Sequence, residues 1–211
     1  MREILIIGAR GFGRKVFDLI SSIKSFNNNY CVKGFLDSDS CKLEGFDNYP
    51  KIISSVEDYE IKKNDVFVCA LGDVIYKKYY ANIIKTKGGK FINVINENFN
   101  LDSNVEIGKE GVIIFQNSII SCDSVIGDFV TLQPNVVLGH DTTIGDNCHI
   151  DSFVFTGGFS KISNNVTIHT RATILPHIEV KDNVIVGACT LVNKNVEKNK
   201  VVVGIPSKEL E

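Results

Sequence analysis

From Ile114 to Val192 every sixth residue is aliphatic: thirteen of the fourteen are Ile, Leu or Val, and Thr156 is the exception. Two places earlier, from Val112 to Thr190, each residue is small or β-branched. Neither a helix, with its period of 3.6, nor a plain strand, with its period of 2, can hold that register. A six-residue period calls for short strands separated by turns and wound as a parallel solenoid. The aliphatic residue of each hexad should point inward and stack on its counterpart one coil away, with the small residue near the corner. Gly127, Gly139, Gly145, Gly157 and Gly187 follow the aliphatic residue, and polar residues open the next hexad, as in "IGDN" (144–147). Gly and Asn tolerate the positive φ that tight corners demand. Fourteen hexads run without an insertion. Between 102 and 113 the register slips, with Ile107 one residue out of phase, which reads as an irregular first coil.

Composition narrows the function. The net charge of −2, with no Lys/Arg cluster, supplies no field for nucleic acid. No apolar run reaches the ~18 residues of a membrane span. The opening "MREILIIGARGFG" has an apolar run of only four residues before Gly8 and does not read as a signal peptide. Six cysteines show neither C-x-x-C nor metal-ligand spacing. Reduced, mostly buried thiols in a cytoplasmic protein without a metal are the expectation.

The N-terminal part has a different rhythm. "ILIIGARGFGRKVFDLI" reads strand, Gly-rich turn, helix, with the strand over 4–7. Gly8, Gly11 and Gly13 make G-x-x-G-x-G rather than the dinucleotide fingerprint G-x-G-x-x-G. Backbone N–H groups at a helix N-terminus attract phosphate, although a purely structural turn would read the same way. A second strand in "VKGFLDSD" ends at Asp37, where an acid can accept a hydrogen bond from a ribose or base. A third, over 66–70, leads to Gly72 and Asp73, then a helix through Ile84 and a strand in "KFINVI". That is the size of a mononucleotide-binding half of a doubly wound sheet, too short for NAD-dependent redox chemistry. The expected organisation is a Rossmann-like unit over 1–97 and a β-helix over 98–211.

Two of the four histidines lie in "HDTTIGDNCH" (140–149), with Asp141 directly after the first. An amine or hydroxyl attacking a thioester must lose a proton, and a neutral imidazole with a pKa near ~6.5 is suited to take it. A carboxylate fixes the tautomer and stabilises the imidazolium. Neighbours on an extended chain normally point apart, so the pair needs a corner. His169 and His177 have no such frame and read as surface polar residues.

The hexad pattern over 101–203 resembles the hexapeptide-repeat acyltransferases, whose fold is a left-handed parallel β-helix of three hexads per coil. With the nucleotide-type unit in front, nearly the whole chain resembles the sugar-nucleotide N-acetyltransferases acting on 4-amino-4,6-dideoxy sugars, and the related sialic-acid O-acetyltransferase type. The resemblance implies acetyl-CoA as co-substrate, a UDP-, dTDP- or GDP-linked amino sugar as acceptor, and a homotrimer. It implies His140 as general base, Asp141 orienting it, and His149 near the acetyl carbonyl or substrate. It places Gly158, Gly187, Ala188, Gly204, Pro206 and Lys208 along the coenzyme; a solvated terminal role for Lys208 fits equally. In the opening "GARGFG", Phe12 stands where the family usually has His, among the nucleotide-side residues Gly8, Gly11, Asp37 and Gly72. O-acetylation of a sugar such as sialic acid and a non-catalytic trimeric scaffold are the alternatives.

Overall fold

The computed structural model describes residues 1–26 and 29–210; residue 211, the end of the expected second domain, lies outside them. The chain divides into two compact units, Met1–Val94 and Ile95–Glu211. The boundary falls three residues before the expected one. The reason is that Asn96 N–H already donates to Ile114 O at 2.9 Å, so the coil ladder begins sooner than the hexad pattern does.

The first unit is a parallel sheet. Strands β1 (Arg2–Ile7), β2 (Tyr30–Leu36), β3 (Ile52–Ser54) and β4 (Asp65–Cys69) lie in the order β3-β2-β1-β4. Helix α1 (Gly11–Ser22) follows β1 and α2 (Val74–Thr86) follows β4. The run Ile4–Ile7 and the whole of β4 are buried, as central parallel strands covered on both faces must be. β3 is an addition to the sequence reading: at three residues, "IIS" is too short for its pattern to be seen. The expected strand in "KFINVI" contributes one bridge in this unit, Phe91 pairing in parallel with Phe67. Because β2 and β4 flank β1, the chain reverses its winding beside β1, and the crevice at the strand ends opens there.

The second unit is a left-handed β-helix of two-residue strands. Face I holds Ile113–Ile114, Thr131–Leu132, His149–Ile150, Thr167–Ile168 and Ile185–Val186. Face II holds Ile119–Ile120, Val137–Leu138, Phe155–Thr156, Thr173–Ile174 and Leu191–Val192. Face III holds Val125–Ile126, Thr143–Ile144, Lys161–Ile162 and Glu179–Val180. Parallel partners are eighteen residues apart, as in Ile126↔Ile144 and Ile150↔Ile168. The inward residue of every hexad is buried, and the position two before it is buried with it. Each hexad therefore buries an aliphatic residue and, two places before it, a small or β-branched one such as Ser118, Thr142 or Val166. The slip in the first coil is one extra residue: Ile107 pairs with Ile126, nineteen residues on, and the corner moves to Gly111 at φ 71°.

The corners correct the sequence reading. Positive φ falls every six residues from Gly111 to Cys189, but two places after the expected glycines, on residues such as Phe129, Asp141, Asn147 and Phe159. The glycines serve close approach instead. A Cβ on Gly127 would sit 2.4 Å from Asp146 Oδ1, and one on Gly145 2.7 Å from Asn164 Oδ1. At the corner between faces III and I, Asn147, Asn165, Asn183 and Asn199 form an amide ladder with bonds of 2.9, 3.1 and 2.9 Å. The thiols also differ from expectation. All six are free, but only Cys69 and Cys148 are buried. Among the described residues no helix is long and apolar enough to cross a membrane.

Candidate active site

In the first unit a cavity of about 600 Å³ opens at the ends of β1 and β4, lined by Gly8, Arg10, Phe12, Asp37, Ser38, Val56, Gly72, Tyr76 and Tyr80 among others. Gly8 takes φ 94°, and a Cβ there would meet Leu71 Cδ2 at 2.7 Å. A Cβ on Gly13 would fall 1.9 Å from Gly8 O, so that glycine lets α1 pack against the strand it follows. Gly11, by contrast, has open space around it, and only Arg14 comes within 4.0 Å. Arg10 at the N-cap of α1 makes no side-chain capping bond. The first N–H groups of a twelve-residue helix thus begin beside the cavity under an arginine, a combination suited to phosphate.

Asp37 lines the cavity, but its role differs from the simple ribose acceptor expected. Its Oδ2 accepts Ala9 N–H at 2.9 Å and its Oδ1 accepts Asp39 N–H at 3.1 Å. The carboxylate braces the Gly-rich turn against the end of β2, leaving one further lone pair on each oxygen for a ligand. Asp73 caps α2, accepting from Ile75 N–H at 2.8 Å and Tyr76 N–H at 3.0 Å. That cap sets the helix phase that turns Tyr76 and Tyr80, one turn apart, onto the cavity. Arg10, Ser38, Val56, Tyr76 and Tyr80 were not singled out from sequence; the Tyr pair at i and i+4 after an Asp cap is the signal that could have found two of them.

In the second unit His140 and Asp141 sit at the corner between faces II and III. Asp141 adopts φ 55°, and this left-handed turn folds its carboxylate back on the preceding ring: Oδ2 lies 2.7 Å from His140 Nδ1. The histidine side chain is 54% exposed. Gly158 stands in the next coil directly beneath it, and a Cβ there would be 2.7 Å from His140 Nε2. The Gly158 N–H makes no hydrogen bond among the described residues. Gly139 and Gly157 serve close approach between coils, since a Cβ on Gly139 would meet Gly158 N at 2.6 Å and one on Gly157 would meet Pro176. Phe159 lies edge to face with His140 at 5.0 Å, and His177 stacks on Phe159 at 5.0 Å and 5°. His177 is therefore part of an aromatic row beside His140, where the sequence suggested only surface polarity.

His149 is not at this corner. It lies on face I, 6% exposed, with Nε2 3.3 Å from Asp151 Oδ1; Asp151 Oδ2 lies 3.0 Å from His169 Nδ1. Burial pushes the Asp151 carboxyl up, but the bonds to the two imidazoles outweigh it and hold it below the usual carboxylate range. Within one chain the two histidines of "HDTTIGDNCH" thus occupy different sides of a coil, separated by face III. The spacing of nine residues, half an eighteen-residue coil, dictates that separation.

Gly187 and Ala188 lie at the corner between faces I and II, away from Gly158. Gly187 already has a packing role, since a Cβ there would approach Val203 Cγ1 to 2.6 Å. Gly204, at φ 100°, starts the closing turn: its O accepts Leu191 N–H at 3.0 Å, and Ser207 N–H donates to Leu191 O at 2.8 Å. Ile205–Pro206 is a cis peptide. Lys208 and Lys194 line a cavity of about 270 Å³ with Asn195 and Ser207. Among the described residues no group of His, Cys, Asp and Glu has the arrangement of a metal site.

Residues 3–84 match the family described as PglD N-terminal domain, and residues 123–158 and 159–194 each match bacterial transferase hexapeptide (six repeats). The two matches fall on the two units in turn. Among curated relatives, the galactoside O-acetyltransferase of Escherichia coli is 34% identical over 116 residues, covering 52% of this chain and 55% of its own. A serine acetyltransferase of Staphylococcus aureus is 37% identical over 86 residues, 37% of this chain and 40% of its own. The chain therefore spans about half, or less, of the length of these relatives. Two solved structures match across nearly all of both chains. PerB of Caulobacter crescentus, in complex with CoA and GDP-perosamine, is 20% identical with a TM-score of 0.87, covering 100% of this chain and 98% of its own. The acetyltransferase domain of PglB from Neisseria gonorrhoeae is 21% identical with a TM-score of 0.87, covering 100% of each. At these identities the likeness is one of fold.

Proposed function

We propose that the protein is an acetyl-CoA-dependent N-acetyltransferase acting on the 4-amino group of a nucleotide-linked 4-amino-4,6-dideoxy sugar. The observation that carries this reading is the His140–Asp141 pair at 2.7 Å standing over Gly158. With Nδ1–H donated to Asp141, the lone pair of the neutral ring sits on Nε2. His140 Nε2 takes the proton that the amine loses as its nitrogen bonds to the thioester carbon. Asp141 stabilises the resulting imidazolium. The Gly158 N–H donates to the oxygen on which negative charge collects. As the carbon–sulfur bond breaks, His140 returns its proton to the departing sulfur, and no residue is consumed. The order of reaction needs only proximity and orientation, not a covalent acyl-enzyme.

The residues present suit coenzyme A. Gly158, whose N–H makes no hydrogen bond among the described residues, lies beneath His140, and Lys194 and Lys208 offer cations at the C-terminal end. The cavity beside α1, with Arg10 and uncapped N–H groups, suits the diphosphate of a sugar nucleotide. The coenzyme-side residues fall on two corners of the solenoid, and Ile119, Val137 and Phe155 stand in one outward column of face II, with Ile119 and Phe155 exposed. Both features favour a homotrimer in which neighbouring chains share the coenzyme.

The test is thiol release from acetyl-CoA with a panel of 4-amino-4,6-dideoxy sugars on UDP, dTDP and GDP, together with sialic acid and galactosides. Turnover of one amino sugar nucleotide, and a fall of about 10² to 10⁴-fold in kcat for His140→Ala, is the expected result. A loss under tenfold removes His140 from the role of base. Turnover of sialic acid or a galactoside alone moves the reaction to O-acetylation. That second reading is favoured by the match to the galactoside O-acetyltransferase.

A further inference from the structure

At the corner between faces II and III the position of positive φ is filled, coil after coil, by Asp123 (58°), Asp141 (55°), Phe159 (60°) and His177 (63°). The left-handed region suits Asn, Asp and Gly and disfavours bulky side chains. Here two successive coils carry rings instead. Burial does not account for Phe159, whose side of the corner is open: the residue is 46% exposed. What the ring does touch is specific. It meets His140 at 5.0 Å and 89°, and its partner His177 lies parallel to it at 5.0 Å.

His140 has few other restraints. Its ring hangs on one hydrogen bond to Asp141, about which it can rock, and rests above Gly158, which offers a floor without a side chain. A third contact is needed to define the plane of the imidazole. An aromatic ring provides it without offering a donor or acceptor that would compete for the proton at Nε2, as an Asn or Asp at the same position would. His177, stacked behind, prevents the Phe159 ring from turning away.

We infer that Phe159, backed by His177, is a positioning residue for His140, holding the imidazole upright over Gly158 so that Nε2 faces the acceptor. The inference rests on the reading of His140 as general base.

The test uses Phe159→Asn in the full chain. Asn is the residue type the corner conformation favours, so the melting temperature should stay equal or rise. With the ring gone, kcat should fall about tenfold or more, while KM for acetyl-CoA and for the acceptor stays within about twofold. Phe159→Tyr, which keeps the ring, should retain the wild-type kcat to within about threefold. The chain has four histidines, so each imidazole C–H proton signal can be assigned by its loss in a single variant. The His140 signal should move on Phe159→Asn as the ring current disappears. An unchanged kcat, or a loss confined to KM for the acceptor, would overturn the inference; the second result would make Phe159 a platform for the sugar. His140→Ala in the same assay separates the two levels. If it abolishes turnover while Phe159→Asn is fully active, positioning by Phe159 fails and the base stands. If His140→Ala is itself active, both readings fall.

Discussion

The geometry at His140 shows how one backbone angle makes a dyad from adjacent residues. On an extended chain Asp141 would point to the opposite side; at φ 55° it curls back to 2.7 Å from Nδ1. The sequence carries the pair and even the need for a corner, but not which residue takes the left-handed turn. Gly158 shows the same limit. The resemblance marks it as a coenzyme contact, yet the floor it makes beneath His140 depends on an eighteen-residue return that no local window contains. A Cβ at this position would sit 2.7 Å from Nε2, and the partly exposed ring can swing away from it. Gly158→Ala should therefore leave the melting temperature nearly unchanged and lower kcat by about tenfold or more. Circular dichroism melting and steady-state rates on the same preparation check both halves; a normal kcat would mean that His140 does not use this floor. His149 went the other way. Its place in the motif suggested a shared site with His140, whereas it lies buried on face I against Asp151.

At the scale of the coil, the period foretold the strands well and the corners less well. Alternation of inward and outward residues is set by local sterics and shows in the pattern. The division of labour at a corner is not local. Where glycine stands two places before the positive-φ residue, the next coil's backbone or side chain passes there, as Asp146 Oδ1 does at Gly127. The same coil logic explains the exception in the aliphatic register. Thr156 is fully buried in the face II column between Leu138 and Ile174, and its Oγ1 has no hydrogen-bond partner among the described residues. A buried hydroxyl without a partner costs about 1–3 kcal/mol. Thr156→Val keeps the shape and removes that cost, so the protein should gain about 1 kcal/mol, seen as a rise in the denaturation midpoint with an unchanged slope. A fall would show that the hydroxyl is satisfied in solution.

For the whole molecule, the pattern of residues gave two architectures in the right order and missed where one yields to the other by three residues. Strand β3 and the lining residues Tyr76 and Tyr80 escaped because short strands and cavity walls are defined by what packs beside them rather than by spacing. Assembly is the property that rests least on local pattern and most on surface. Ile119, Val137 and Phe155 form an outward apolar column on face II, with Ile119 and Phe155 exposed. Light scattering on a sizing column should give a trimer, and Phe155→Asp should shift it toward monomer while leaving the far-ultraviolet spectrum intact. A monomeric wild type would remove the shared-coenzyme arrangement proposed above.

The single extra residue between Ile107 and Gly111 bears on how such a chain can change length. From the second coil to Val192 every ladder contact is addressed by a stride of eighteen, so a deletion of one residue within that region would rotate the later inward positions off their columns; the closing coil is two residues shorter, with Ile185 pairing Val201. The first coil tolerates its surplus residue because only one strand per face precedes it and the mismatch is spent at Gly111. Growth and loss in the body of the solenoid are therefore quantised in whole turns, while its two ends, one residue longer at the first coil and two shorter at the last, are the places where the chain can depart from the stride.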